Sequence, residues 1–424
     1  MRNILFILLI IFFKCSYIQA QTNSNILNVH EISIKENVLM NDTLLHHLLE
    51  IPFLGFDISI HSAPGLKKFL TTQANYLSIN FNDYNNFDDN SHHLFDVYNQ
   101  LLGYSFRHEK NIYSFGLSHR LFSEFSLSSE LVSLIIDGNS QYLNQKLSMD
   151  NQNYGYILNY LSFDFGYYNQ INNQLYLGAK FKFIKGINSF GMELKNTSFL
   201  VSDNLNTSQN PFEIELDAEA SYFINTNNSL FSNLGSAIDV YLDYDYNDRI
   251  SFYTHAYDIG FVMWKEDHYD SDGILNFDGL NFSLDQFLDT EYNMLQDSIL
   301  DIFELQQHSV SKFRVLPFMI NLGTSYSFYD SSQINLNYRI KKNSHSFIHT
   351  TKFSYMYHLE KYNFSIIPSY SINKYDYTNI SILLNKRWKN RFYTNVYCNN
   401  IIDFIFTNSG GGDIGLGCQL YFLF

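Results

Sequence analysis

The sequence predicts an all-β fold, a transmembrane antiparallel β-barrel of about 14 strands within a range of roughly 12 to 18, with one or two short helices in loops or a plug. Three observations carry this. An apolar leader opens the chain, long segments alternate strictly between apolar and polar residues, and a last alternating strand ends on Phe424.

The leader comes first. Arg2 supplies a positive start, residues 4–13 are unbroken apolar, and Ala20 offers a small residue for cleavage, with Gln21 as the expected mature start. This is the pattern of a secretory signal peptide. Residues 1–20 are therefore read as the signal and 21–424 as one barrel domain. Lys14, directly before Cys15, removes the small-residue context that lipidation needs. No later stretch stays apolar for the roughly 18 residues that a spanning helix requires.

Composition agrees. The chain holds 33 Tyr and 39 Phe but only 5 Pro, which suits strands with one greasy and one wet face. The net charge is −15, and loss of Arg2 and Lys14 with the leader makes it more negative. An acidic chain without basic clusters is unsuited to nucleic acid, and points instead to an acidic lumen or acidic loops. Cys398 and Cys418, the two cysteines beyond the leader, are too few for a disulfide framework. One bridge between neighbouring strands, or two small apolar side chains, are both open.

The alternation is clearest in four segments. In 175–184, Leu175, Leu177, Ala179, Phe181 and Phe183 oppose Tyr176, Gly178, Lys180 and Lys182. In 212–220, Phe212, Ile214, Leu216 and Ala218 oppose Glu213, Glu215, Asp217 and Glu219. Segment 237–246 sets Ile238, Val240 and Leu242 against Asp239, Tyr241 and Asp243, and 333–341 sets Ile334, Leu336 and Tyr338 against Asn335, Asn337, Arg339 and Lys341. A soluble sheet alternates too. Many of these segments, however, reach the roughly nine to eleven residues that a membrane-crossing strand needs, whereas soluble strands cluster near five or six.

Short polar connections at 107–111, 172–173, 247–248 and 360–361 read as hairpin turns on one side, and 204–211 and 266–275 as longer connections on the other. Residues 128–137 and 285–307 depart from the strand period and read as amphipathic helices. Packing without a gating role is the plainer reading of both. The last strand sets Ile414, Leu416, Cys418, Leu420, Phe422 and Phe424 on one face. Its terminal aromatic resembles the signal that barrel-assembly machinery recognises, which makes that machinery an expected partner.

Candidate lumen-lining residues follow from the polar faces: Lys180, Lys182, Glu213, Glu215, Asp217, Glu219, Asp239, Asp243, Arg339 and Lys341. The ladder from Glu213 to Glu219 places like charges two residues apart and needs cations nearby. Lys180 and Lys182, or Arg339 and Lys341, are the expected balance. A cation-attracting or polar-solute path is the functional reading, and a structural charge network or a strand extension in water the plainer one. Asp270-Ser271-Asp272-Gly273 is a fragment of a calcium loop without its bidentate Glu, so a solvated loop is expected there. His46-His47 and His92-His93 are neighbours on strands, point to opposite faces and cannot chelate together. Trp264 and Trp388 fit an interfacial belt. No Gly-x-Ser-x-Gly elbow, phosphate loop or dinucleotide fingerprint occurs. No catalytic residue, metal or cofactor is expected, and the protein is read as a non-enzyme.

Several stretches in order resemble a family of Bacteroidota outer-membrane proteins, domain of unknown function 5723. They are Gly55-Phe56-Asp57-Ile58-Ser59, Leu102-Gly103-Tyr104-Ser105-Phe106-Arg107 with residues 113–118, Glu130-Leu131-Val132 leading to Asp137-Gly138-Asn139, and Ser236-Ala237-Ile238-Asp239-Val240. Asp258-Ile259-Gly260-Phe261 with Trp264, Phe277-Asp278-Gly279, and Leu316-Pro317 complete the set. The resemblance implies an outer-membrane barrel distantly like fatty-acid-transporter-type and gliding- or secretion-associated barrels, and it brings no catalytic residues. Outer-membrane lipid is the implied surrounding. The expected function is a channel or transporter for a small solute, hydrophobic solutes included. The alternative is an accessory barrel for secretion, gliding or surface assembly, with lipoprotein or periplasmic partners. An outer-membrane enzyme is the third and least supported reading.

Overall fold

In lipid every backbone amide must find a partner within the protein, so a sheet survives only if it closes. The computed structural model meets that demand. It describes residues 46–51, 55–63, 70–73, 76–79, 91–137, 140–149, 153–203, 212–225, 229, 231–277, 306–329, 331–374, 379–389, 391–401 and 413–424. The leader, the stretch 204–211 and most of the expected helix 285–307 lie outside the described residues.

Fourteen staves close the wall, three of them built from two arms. The first half runs β1 (His47–Glu50 with Gly55–Ala63), β2 (Ser91–His108), β3 (Asn111–Leu127), β4 (Asn153–Gln170), β5 (Leu175–Asp203), β6 (Phe212–Ile224 with Leu234–Asp245) and β7 (Ile250–Phe277). The second half runs β8 (Gln306–Val315 with Phe318–Tyr329), β9 (Ser332–Lys342), β10 (Phe347–Leu359), β11 (Phe364–Asn373), β12 (Asn379–Trp388), β13 (Phe392–Asn399) and β14 (Asp413–Leu423). Each stave is antiparallel to the next, and both arms of β1 pair with β14 on one side and β2 on the other, which closes the ring. Cys398 and Cys418 are both free thiols on β13 and β14.

The outside is apolar. Phe163, Phe165, Phe181, Phe183, Phe252, Phe353 and Leu416 are among the exposed side chains, on the faces that the alternation assigns to lipid. The short turns gather at one end, where the chain enters at His47 and leaves at Phe424, each backbone bonded to the other. Among these turns, Glu109 and Asn363 adopt positive φ, and residues 360–362 form a single 3-10 turn.

The other end is uneven. β5 has 29 residues and β7 has 28, far beyond what a bilayer needs, so β5 to β8 rise as a tall wall above the rim. Residues 266–275, expected as a loop, are strand in this wall and pair with β6. The calcium-loop fragment 270–273 is likewise extended backbone. The helix expected at 128–137 is present as α1 (Ser129–Asp137). Its Leu131 and Leu134 pack with Met149, Phe199 and Val201 on the tall wall, as a small core of their own.

Inside, large rings lie over glycines on the facing stave. A side chain at Gly178, Gly323 or Gly417 would collide with Tyr168, Tyr253 or Tyr397, each its direct cross-strand partner. The Tyr253 hydroxyl also accepts a bond from Asn337 Nδ2 at 3.1 Å, which fixes the ring. Gly323→Val should therefore overpack the interior and destabilise the barrel by about 1–3 kcal/mol. Denaturant unfolding in lipid vesicles, set against a Gly substitution by Ala at an outward position, measures it.

Candidate functional site: a charge belt across the lumen

The polar face of each stave delivers its side chains into the barrel, and at mid-height the delivered groups are charged. The central residue is Arg120 on β3. Its Nε and Nη2 donate to Asp96 on β2 at 2.9 and 2.8 Å, and its Nη1 donates to Asp258 on β7 at 2.6 Å. Lys182 on β5 donates to the same Asp258 at 2.6 Å and pairs with Asp239 on β6 at 2.8 Å. From the opposite wall, Lys341 on β9 reaches Asp96 at 2.9 Å. β9 and β2 are seven staves apart in a ring of fourteen, so this bond spans the lumen. The belt thus joins both walls through one continuous chain of ion pairs.

A local irregularity builds it. Between β6 and β7 the register slips from Ile238↔Ile259 to Val240↔Ala256, so Tyr257 and Asp258 both stand opposite Asp239. Asp258 takes φ 59, and its amide donates to Asp239 Oδ1 at 2.7 Å. Gly260 lets the two backbones close up here, because a Cβ on it would strike the Ser236 carbonyl and Ala237. On the other side the Leu316 amide bonds the Gly260 carbonyl at 3.0 Å. A bulge of this kind re-aims a side chain. The stretches 236–240, 258–261 and 316–317 quoted for the family resemblance are thus one structural unit, whose product is an inward Asp258.

Below the belt, towards the short turns, lies a layer of tyrosines, with Tyr168, Tyr241, Tyr257, Tyr393 and Tyr421 buried beside Leu48 and Leu423. Above it lies an apolar layer that includes Phe122, Leu158, Ile184, Val262, Trp264 and Leu316. Higher still, the buried Glu124 of β3 ties down the β9–β10 loop. It accepts bonds from Ser346 Oγ at 2.7 Å and the His345 amide at 3.1 Å, and pairs with His92 at 3.0 Å. Arg314 grips Glu266 through Nε and Nη2 at 2.5 and 2.6 Å, while its guanidinium stacks 3.5 Å from the centre of Phe223. Within the belt remains a cavity of about 150 Å³, lined among others by Glu50, Asp57, Asp96, Arg120, Asp164, Lys180, Lys182, Asp239, Asp258, Arg339 and Lys341.

Five of the sequence candidates meet in this cavity: Lys180, Lys182, Asp239, Arg339 and Lys341. Asp243 stands nearer the turns, with His255 at 2.9 Å. The acidic ladder sits elsewhere. Glu213, Glu215, Asp217 and Glu219 lie on the outer arm of β6, in register with residues 195–202 of the tall wall. Glu215 is half-buried and Glu219 exposed, and Lys195, not the belt lysines, stands opposite Glu219. Trp264 corrects the belt expectation, since it is fully buried and faces inward. Trp388 donates its indole N–H to Thr394 at 3.1 Å. His92 is buried in the lumen while its neighbour His93 is only half-buried, and no group of three metal-binding side chains occurs among the described residues.

Reading by alternation passed over Asp96, Arg120 and Asp164, and with them Asp258 as a lumen group. The first three carry the ordinary signal, a charged residue on the polar face of a strand. Asp258 does not, because the bulge shifts the parity. Odd residues point inward up to Tyr257, and even residues point inward from Val262.

A closed antiparallel ring with an apolar exterior and a charged interior defines an outer-membrane-type β-barrel. The chain belongs to the family of unknown function DUF5723, whose profile matches residues 46–394. No curated protein matches the chain in sequence. Among solved structures it is similar to the Ralstonia pickettii toluene transporter TbuX, at 9% identity and TM-score 0.44 over 94% of this chain and 98% of that one. It is also similar to a Pseudomonas aeruginosa FadL homologue, at 9% and 0.43 over 89% of each chain. A third is the translocator domain of the Neisseria meningitidis autotransporter NalP, at 7% and 0.35 over 92% of each.

The belt should behave as buried ion pairs and not as surface ones. Arg120 and Asp258 have side-chain exposures of 13% and 15%, against 50% and 38% for Lys195 and Glu193 at 2.9 Å on the tall wall. Removing one partner of a buried pair typically costs about 3–5 kcal/mol, while exposed pairs couple by about 0.2–1 kcal/mol. Double-mutant cycles read by unfolding in vesicles should give a coupling above about 1 kcal/mol for Arg120 with Asp258, and less for Lys195 with Glu193.

Proposed function

We propose that the protein is an outer-membrane transport barrel for a small solute, closed at rest by its own side chains. The observation that supports this most is the cross-lumen link of Lys341 to Asp96, continued by Arg120 to Asp258. Ion pairs of this kind close a path without covalent or backbone obstruction. They can exchange partners, because Asp96, Arg120, Asp258 and Lys182 each keep two neighbours of opposite sign. The solute passes when the pairs part and the tyrosine and apolar layers below and above them give way. Export through a leader cleaved after residue 20 and assembly through Phe424 belong to the same proposal. Phe424 stacks on the His47 ring at 5.2 Å, which presents it at the seam of the barrel.

A second reading has its own support. A cavity of about 150 Å³ is smaller than the roughly 300–1,000 Å³ typical of ligand pockets. A filled lumen and a tall outer wall suit an accessory barrel that serves surface assembly with lipoprotein or periplasmic partners.

Planar-bilayer recording separates the two. The native protein should be nearly silent. Arg120→Ala combined with Lys341→Ala should raise conductance several-fold and make it cation-selective, because Asp96, Asp239 and Asp258 then outnumber their cations. Heat-modifiable gel mobility verifies that the variant is folded. A folded variant as silent as the parent, together with stoichiometric co-purification of a partner, would establish the accessory role instead.

A further inference from the structure

Above Phe318 the wall has an open edge. The upper arm of β8, Gln306–Val315, is ten residues long and pairs with β7 alone among the described strands. On its other flank the ladder to β9 starts only at Phe318, opposite Lys342. Pro317, which has no N–H to offer, stands at that boundary. Every residue from 307 to 313 is exposed, and so is Val315.

One bond gives the direction of the free backbone groups. The Leu316 amide donates to the Gly260 carbonyl at 3.0 Å, so Leu316 turns its backbone towards β7. Backbone groups of an antiparallel strand alternate between its two flanks. Lys312 and Arg314 therefore bond towards β7, whereas Ser309, Ser311, Phe313 and Val315 hold N–H and C=O towards the open flank. Natural sheets blunt such an edge with proline, a bulge or cover. This arm contains no proline, and its register with β7 is unbroken from Val315 to Gln306. Phe313 and Val315 are 65% and 63% exposed on the outward face. Lys312 shares the inward face with Trp264 opposite it, and has no carboxylate partner among the described residues.

We infer that this edge receives an extended polypeptide segment as one further antiparallel strand, apolar on its outward side and acidic on its inward side. In strand addition the main chain supplies the affinity and alternate side chains the selectivity. Apolar side chains then lie beside Phe313 and Val315, and carboxylates beside Lys312. A second copy of this chain does not fit. Embedded in the same membrane it stands the same way up, so its edge would run parallel, which is the less stable pairing. The edge lies outside the ion-pair belt, so the inference goes beyond the transport reading and holds whether or not the barrel conducts.

A peptide alternating valine and glutamate, blocked at both ends and fluorescently labelled, is the probe. The full-length barrel is held in lipid nanodiscs, and empty nanodiscs give the background. Peptide anisotropy should rise and saturate with the barrel. The same peptide N-methylated at its valines should not bind, because those amides face β8. Methylated instead at its glutamates, whose amides face away, it should still bind. Ser311→Pro removes one N–H from the open flank and spares the ladder to β7, so it should weaken binding about tenfold or more. A peptide that fails to bind the folded barrel, or binds equally after methylation at the valines, overturns the proposal. So does a Ser311→Pro variant that keeps heat-modifiable mobility and binds as the parent does. The methylated peptides decide the matter by themselves if that variant does not assemble.

Discussion

Hydrocarbon offers a backbone amide no partner, and the rest of this structure follows from that single fact. The sheet must close, and closure leaves no edge within the bilayer. The outward face must then be greasy, so the polar half of every stave goes inward. What would be the solvent face of a soluble sheet becomes an interior that the protein has to fill with its own polar side chains.

The filling is layered because charges and apolar groups cannot share a height cheaply. Tyrosines close the end near the short turns, ion pairs occupy the middle, and aliphatic and aromatic side chains lie above them. A charge in this position is tolerable only when paired on several sides. Arg120 and Asp258 each contact two partners of opposite sign, from different staves. The belt therefore depends on wall geometry as much as on residue type, and the Gly260 close approach is as much part of it as the acids. Packing of rings over glycines plays the same role for the tyrosine layer, where a missing Cβ on one stave makes room for a ring from its neighbour.

The tall wall obeys a different rule. Beyond the bilayer, water can satisfy open edges and charged faces, so β5 and β7 extend, α1 packs on their flank, and Glu219 of β6 can stand exposed. The sequence motif is the same alternation in both regions. Its meaning changes with height above the membrane.

Much of the fold was legible residue by residue. Lys180 and Lys182 alternate with Phe181 and Phe183, and a two-residue period alone assigns them to opposite faces. The turns at 172–173 and 247–248 declared themselves by Asn and Asp, and the helix at Ser129–Asp137 by its change of period. What no local pattern contains is distance across the barrel. Lys341 and Asp96 are separated by most of the chain, and only closure brings them to 2.9 Å. The bulge at Asp258 reverses parity within one strand, so Trp264 reads as interfacial in sequence and lies inside in the structure. Sequence determined the faces because side-chain direction along a strand is a local property of the pleat. Tertiary structure decided which inward groups meet, because ring closure, register and one extra residue set separations that neighbours in the chain do not encode.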